Sequence, residues 1–177
     1  MGFEWDPELE EEIDVFLEKG DFNFSSISDE YDGRITAGHF ALLKKLKDER
    51  LLDNFFFFDP KQWPGSWDLR DQRMADNVLA KKYDRPTLIV SGRLHAKTEQ
   101  VDVREGRCHP MGENLKNKIF NILTAEIVPL SGQCFNCELK DFEFIKKTDK
   151  NIFYKKDTNS YILELSEAHP AVVPKDV

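Results

Sequence analysis

Asn54-Phe55-Phe56-Phe57-Phe58 is the stretch of sequence that decides the fold, because its four consecutive phenylalanines leave a strand without a polar face. A strand with apolar side chains on both faces has to be buried on both, as the strands of a parallel sheet are. Two further short apolar stretches, residues 2–5 and 87–91, are predicted to be strands of the same sheet. Helical patterns separate the three strands. This alternation predicts an α/β fold, with a mostly parallel sheet and helices on both faces.

Three helices are predicted between these strands. Asp6 can cap the first helix, Pro7 suits its first position, and Gly20 ends it. The second helix is predicted to begin near Thr36, and Asp68 is predicted to cap the third. Each crossover returns the chain to begin the next strand in the same direction, which parallel pairing requires.

The last part of the chain has a different sequence pattern, with a polar stretch followed by short strand-like segments. Residues 92–112 are polar and contain glycine, so a long loop is predicted there, followed by a helix over residues 114–122. Extra strands are predicted toward the C-terminus, some of them antiparallel, over residues 125–130, 134–138, 142–146, 152–155 and 161–165. A chain of 177 residues, 40% of them hydrophobic, suits one domain over residues 1–177.

Composition and charge exclude several classes of protein. The formal net charge of −8 argues against nucleic acid and anionic membranes as partners, since both need a basic face. No apolar run reaches the roughly 18 residues of a membrane helix, and no signal-peptide pattern follows Met1. Three cysteines cannot all pair within one chain, so a disulfide framework is not indicated. We therefore expect a cytoplasmic protein.

Three chemically capable side chains are predicted to meet at one edge of the sheet. Glu4 ends the first strand, His95 follows the third, and Arg70 lies early in the helix after the phenylalanine strand. Sites in parallel sheets form at the carboxyl ends of the strands, so these three are candidate catalytic residues. Glu4 can act as a base or metal ligand, His95 can carry protons, and Arg70 can hold an anionic group. An ordinary Glu–Arg ion pair beside a structural histidine is the alternative.

The three cysteines, Cys108, Cys134 and Cys137, are weak candidates for a zinc site. The last two form a Cys-x-x-Cys, and Cys108 with His109 could complete a set of four ligands. Residues three apart on a strand point to opposite faces, so a zinc pair would need a turn between them. A redox pair, or two cysteines on a strand, explains the pattern as well, and we expect no metal there.

Several short motifs follow one another along the chain. They are Gly2-Phe3-Glu4-Trp5, Arg70-Asp71-Gln72-Arg73-Met74-Ala75-Asp76-Asn77, Thr87-Leu88-Ile89-Val90-Ser91-Gly92-Arg93-Leu94-His95-Ala96 and Met111-Gly112-Glu113-Asn114-Leu115. Their order resembles that of the erythromycin-esterase, Tiki and ChaN-like superfamily, and in particular its haem-binding ChaN-like branch. In that superfamily a strand ends in Glu, and an Arg-Asp-x-x-Met-Ala-x-Asn helix and an apolar strand with Gly-x-x-His follow.

The resemblance implies an α/β fold, together with either ester or peptide-bond hydrolysis or the binding of haem or a metal. It implies Glu4, Arg70 and His95 as catalytic residues. Asp71 and His109 are candidate ligand-binding residues at the same edge. The implied cofactor is a divalent metal or haem, and the implied partner is a small-molecule substrate or ligand. Assembly as a homo-oligomer or with a partner subunit is open.

One motif of the superfamily is absent from this sequence. Its members carry Gly-Glu-x-His on an earlier strand, where it supplies the proposed general base or ligand. This sequence starts after that point, so it either is truncated at the N-terminus or belongs to a protein that lost the motif. Loss of the motif would favour a third interpretation, a non-catalytic subunit that kept the fold.

Overall fold

The structure of the chain is a computed structural model. It describes residues 1–20, 35–81, 86–103, 106–119, 121–129, 131–135, 139–143 and 151–165, with the backbone alone between residues 128 and 143. Contacts group the chain into two compact units, Met1–Phe22 with Leu46–Ile122, and Asn23–Lys45 with Leu123–Val177. The single domain over residues 1–177 stays a prediction. Within the described ranges, no helix has the length and apolar character needed to cross a membrane.

A three-stranded parallel sheet organises the first unit. Its strands are β1 (Gly2–Phe3), β2 (Phe56–Phe57) and β3 (Ile89–Val90), in the order β2-β1-β3. Both outer strands run parallel to the central β1. The prediction that these three stretches are parallel neighbours in one sheet is confirmed. The chain is of mixed α/β type.

The three strands are shorter than the predicted apolar stretches. β2 lies at an edge of the sheet, where the N–H of Phe55 donates to the Asn54 side chain. Beyond β2, the N–H of Phe58 still donates to the carbonyl of Phe3 at 3.1 Å. The two segments therefore stay side by side up to the edge where the strands end.

The helices of the first unit follow the predicted order, with one change of cap. A 3₁₀ turn (Pro7–Leu9) leads into α1 (Glu10–Lys19), and Gly20 ends it with a φ of +81°. Asp6 caps the turn as predicted, accepting from the N–H of Glu8.

The helix that follows β2 is α3 (Trp67–Ala80), and its cap is Ser66 rather than the predicted Asp68. The Ser66 hydroxyl accepts from the N–H of Leu69. The Asp68 carboxylate instead accepts the N–H of His109 at 2.7 Å, a contact with a segment 41 residues later in the chain. A second helix, α2 (Ala37–Asp48), begins where it was predicted and buries Phe40 and Leu43.

The predicted loop over residues 92–112 contains regular structure, so that prediction was wrong in part. Strands β4 (Val101–Val103) and β5 (Gly106–Cys108) form an antiparallel hairpin. Gly106 has a φ of +125°, a backbone conformation that glycine adopts without strain. The next helix, α4 (Met111–Lys116), also begins three residues before the predicted range of 114–122.

The described strands of the second unit confirm the extra C-terminal strands. They are β6 (Thr124–Pro129), β7 (Ser131–Phe135), β8 (Leu139–Glu143), β9 (Ile152–Lys155) and β10 (Ser160–Leu165). β10 pairs parallel with β6 and antiparallel with β9, and β7 pairs antiparallel with β8. β7 and β8 each lie three residues earlier than predicted, and their register sets Phe135 opposite Leu139.

The phenylalanine strand is covered on both faces, as predicted. Phe57 lies near the rings of Phe3 and Trp5, with centroid separations of 6.3 and 5.1 Å. The opposite face contributes to a buried cluster of Phe56, Phe58, Met74, Ala75, Val78, Met111 and Leu115. This cluster joins β2 to α3 and α4, so it fixes the elements that carry the polar residues described below.

Replacing Phe58 by alanine should destabilise the chain by about 3–5 kcal/mol, because this fully buried ring would leave a cavity between β2 and α3. Leu88→Ala is the control, since Leu88 is 62% exposed and its loss should change stability by less than about 0.5 kcal/mol. Urea denaturation of both variants measures the difference. Equal stabilities would contradict the placement of Phe58 in the core.

Candidate functional site

Three polar groups stand where the three parallel strands end. Glu4 directly follows β1, Asp59 follows β2 by two residues, and Gly92 follows β3 by two residues. The N–H of Gly92 donates to Oε2 of Glu4 at 2.8 Å, and the N–H of Glu4 donates to the carbonyl of Val90 at 3.1 Å. The parallel register therefore places a carboxylate on the central strand with a second carboxylate beside it.

The structure brings Glu4, Arg70 and His95 together. Nη2 of Arg70 donates to Oε1 of Glu4 at 2.8 Å, and Nη1 lies 3.1 Å from Nε2 of His95. Nε2 of His95 lies 3.6 Å from Oε1 of Glu4. All three residues are buried, with 7–8% of their surfaces exposed. The three side chains converge as the sequence predicted. A catalytic role for them stays a prediction.

Arg70 is bound mainly by Asp59. Nε and Nη2 of Arg70 donate to the two carboxylate oxygens of Asp59, at 2.9 and 2.7 Å. Burial lowers the pKa of Arg70, but hydrogen bonds and charges from Asp59 and Glu4 outweigh it, so the pKa lies above its ordinary value. This bidentate pair occupies two of the three nitrogens of the guanidinium. The role of Arg70 in holding an anionic group stays a prediction.

His95 is held in one tautomer by its two neighbours. Its Nδ1 lies 2.8 Å from Oδ1 of Asp71, a carboxylate that can only accept when ionised. Arg70 has only donors, so Nε2 must be the acceptor of the contact with Nη1. The ring consequently carries its proton on Nδ1 and its lone pair on Nε2, facing Arg70 and Glu4.

Asp71 lies behind His95, and its predicted ligand-binding role stays a prediction. Its side chain is fully buried, and Oδ1 also accepts the N–H of Met111 at 2.6 Å. The thiol of Cys108 lies 4.0 Å from Oδ2. Burial, followed by the negative charge of Asp71, raises the pKa of that thiol to about 11. Asp71 is therefore a residue that orients the histidine.

The other predicted ligands lie elsewhere. His109 is exposed, and its ring contacts Glu113 at 3.1 Å and Gln100 at 3.3 Å, so the structure does not bring it into the network. Cys108 is a free, buried thiol, whereas Cys137 lies outside the described residues and the side chain of Cys134 is not described. Among side chains that the structure describes, no group of three or more His, Cys, Asp and Glu is arranged to hold a metal ion.

Asp59 is the residue of this cluster that sequence reasoning missed. The proline, glycine and tryptophan residues of the stretch 59–67 indicate a loop, yet a carboxylate just after a buried parallel strand carries the same signal that identified Glu4. Trp67 covers the cluster from α3, with its ring centroid 5.6 Å from Cζ of Arg70 and 6.1 Å from the ring of His95. The ring centroid of Trp63 lies 4.9 Å from that of Trp67, and Trp63 is 56% exposed. An aromatic rim thus lies between the charged cluster and solvent.

The start of α4 fixes the backbone of His95. The N–H of Gly112 donates to the carbonyl of His95 at 2.8 Å. A Cβ added to Gly112 would lie 2.6 Å from the carbonyl oxygens of both Ala96 and Lys97, which is closer than real contacts allow. Only glycine lets α4 approach this turn so closely, and the Met111 N–H then reaches Asp71.

Haem iron or a divalent metal does not fit these residues as they are arranged. Either would need an imidazole nitrogen with an accessible lone pair. Nδ1 of His95 bonds Asp71, Nε2 accepts from Arg70, and the residue is only 7% exposed. The carboxylates of Glu4 and Asp59 are likewise bound to the guanidinium.

Comparison of the chain with models of known protein families, with curated proteins and with solved structures finds no match. The superfamily resemblance therefore rests on the motifs and their order alone.

Gly112→Ala should displace the turn that carries His95, because the added methyl group meets two backbone carbonyl oxygens. We expect a loss of about 1–3 kcal/mol in stability and a change in the NMR signals of the His95 ring. Gly38→Ala is the control, since its Cβ would meet only the Thr36 hydroxyl at 3.5 Å. An unchanged stability and unchanged His95 signals in Gly112→Ala would show that the close packing is not required.

Proposed function

We propose that this chain is a hydrolase-like domain of the erythromycin-esterase, Tiki and ChaN-like kind, with His95 as its general base. The observation that carries the proposal is the Asp71–His95 pair, in which a buried carboxylate bonds Nδ1 at 2.8 Å. A carboxylate in this position orients an imidazole and stabilises it once Nε2 takes up a proton. The ordered motifs that meet at the edge of the sheet support the same class.

The proposed step is proton transfer from a water molecule to Nε2 of His95 as the water attacks a carbonyl carbon. Nε2 now accepts a hydrogen bond from Arg70, so the water has to replace that contact. The imidazolium that results would lie beside two carboxylates, Asp71 at 2.8 Å and Glu4 at 3.6 Å. These two negative charges would offset the repulsion between the imidazolium and the Arg70 guanidinium, 3.1 Å from Nε2.

Arg70 and Glu4 have supporting roles in this proposal. Arg70 donates four of its N–H groups to Glu4, Asp59 and His95. The second hydrogen of Nη1 is the donor that remains for a single substrate oxygen. A small-molecule ester or amide that enters past Trp63 would then meet one donor and one base.

We also propose the finer fold, a mostly parallel sheet with helices on both faces, and a cytoplasmic location, which the composition supports.

A non-catalytic role is the second candidate, and the burial of the network favours it. Glu4, Arg70 and His95 bond one another with at most 9% of each side chain exposed. A closed network of this kind can serve purely as a structural element. The two candidates differ in whether the intact chain turns over any ester or amide.

Asp71→Asn and His95→Gln should each lower kcat/KM by roughly 10²–10⁴-fold, because each removes general-base catalysis. The substrates are p-nitrophenyl acetate and a short peptide p-nitroanilide, tested with the wild-type chain. Asp76→Asn is the matched control, since Asp76 is exposed on the same helix and pairs only with Lys118 among the described residues. Retained activity in His95→Gln would refute the assignment of the base. Turnover of neither substrate by the wild type would favour the non-catalytic candidate.

A further inference from the structure

The guanidinium of Arg70 is bound by acceptors from three separate segments. Glu4 follows β1, Asp59 follows β2, and His95 lies in the turn after β3. Their contacts to Arg70 are 2.8 Å from Glu4 Oε1, 2.7 and 2.9 Å from the Asp59 oxygens, and 3.1 Å from His95 Nε2. Two carboxylates and one imidazole around a single cation make up a common ligand set for a divalent metal.

One pair of these acceptors has the spacing of two metal ligands. Nε2 of His95 and Oε1 of Glu4 lie 3.6 Å apart. Two ligands at about 2.1 Å from one metal in tetrahedral geometry would be separated by about 3.4 Å. The Asp71 carboxylate on Nδ1 of His95 completes the pattern, because metal-bound histidines usually donate their other N–H to a carboxylate.

We propose that Arg70 is the resident cation of this site and occupies the place of a divalent metal, so that the native chain binds no such metal between Glu4, Asp59 and His95. The guanidinium meets three of the requirements that a metal would meet. It neutralises the two carboxylates, orients the lone pair of Nε2, and ties the ends of β1 and β2 to α3. This inference is independent of the proposed hydrolysis, since it concerns cation binding alone.

Removal of the guanidinium should convert the network into a metal site. Arg70→Ala leaves two carboxylates, 8% and 12% exposed, facing each other without their counter-charge. Like charges held close together in a buried place destabilise the fold and raise the affinity for any cation that fits. A divalent cation would restore the neutralisation and use the lone pair that the guanidinium previously held.

Calorimetric titration with Mn²⁺ of the full chain tests the proposal. Mn²⁺ is chosen because carboxylates and imidazole suit it better than thiolates do, so the cysteines interfere little. We expect Arg70→Ala to bind about one Mn²⁺ per chain and to gain thermal stability with rising Mn²⁺. The wild type and Arg73→Ala, an exposed arginine on the same helix, should show neither effect.

The double variant Arg70→Ala/His95→Ala should lose the bound Mn²⁺, which assigns binding to these residues. An Arg70→Ala chain that folds and binds no Mn²⁺ would overturn the proposal. Wild-type binding of Mn²⁺ that His95→Ala abolishes would overturn it too. If Arg70→Ala folds only when Mn²⁺ is present, the proposal is supported. If it folds under neither condition, the wild-type titration decides, with no binding as the supporting result.

Discussion

The buried ion pairs of Arg70 are the interaction on which the rest of this site depends. One guanidinium bonds carboxylates that follow two neighbouring parallel strands, Glu4 and Asp59, and also holds the ring of His95. Breaking a buried pair by removing one partner typically costs about 3–5 kcal/mol, because the other charge stays buried without compensation. The network therefore constrains the strand ends, the first turns of α3 and the turn after β3 together.

His95 is oriented by a second layer of contacts that begins at α4. The Met111 N–H bonds Asp71, Asp71 bonds Nδ1 of His95, and the Gly112 N–H bonds the carbonyl of His95. Both the side chain and the backbone of the histidine thus depend on a helix that begins sixteen residues later in the chain. Such double anchoring gives one ring orientation and one tautomer, which a general base requires.

The sequence predicted the part of this arrangement that follows from strand direction. Parallel strands end at one edge, and this rule predicts that Glu4, Arg70 and His95 lie near one another. It could equally have identified Asp59, but the proline and tryptophan residues after it suggested only a loop. Pairings over long separations could not be predicted: Asp68 and Asp71 accept the backbone N–H groups of His109 and Met111, which lie 41 and 40 residues later. The antiparallel pair of β4 and β5 was not predicted because each strand has three residues, too few for a periodic pattern.

The central claim is that Asp71 and Arg70 together hold His95 with its proton on Nδ1 and its lone pair on Nε2. Long-range ¹H–¹⁵N correlation NMR of the histidine rings measures this directly, with His95→Gln to assign the signal. The account predicts that the His95 ring in the wild-type chain at neutral pH carries a protonated Nδ1 and an unprotonated Nε2. A proton on Nε2, whether as the other tautomer or as an imidazolium, would contradict it, because Arg70 would then face a donor rather than an acceptor.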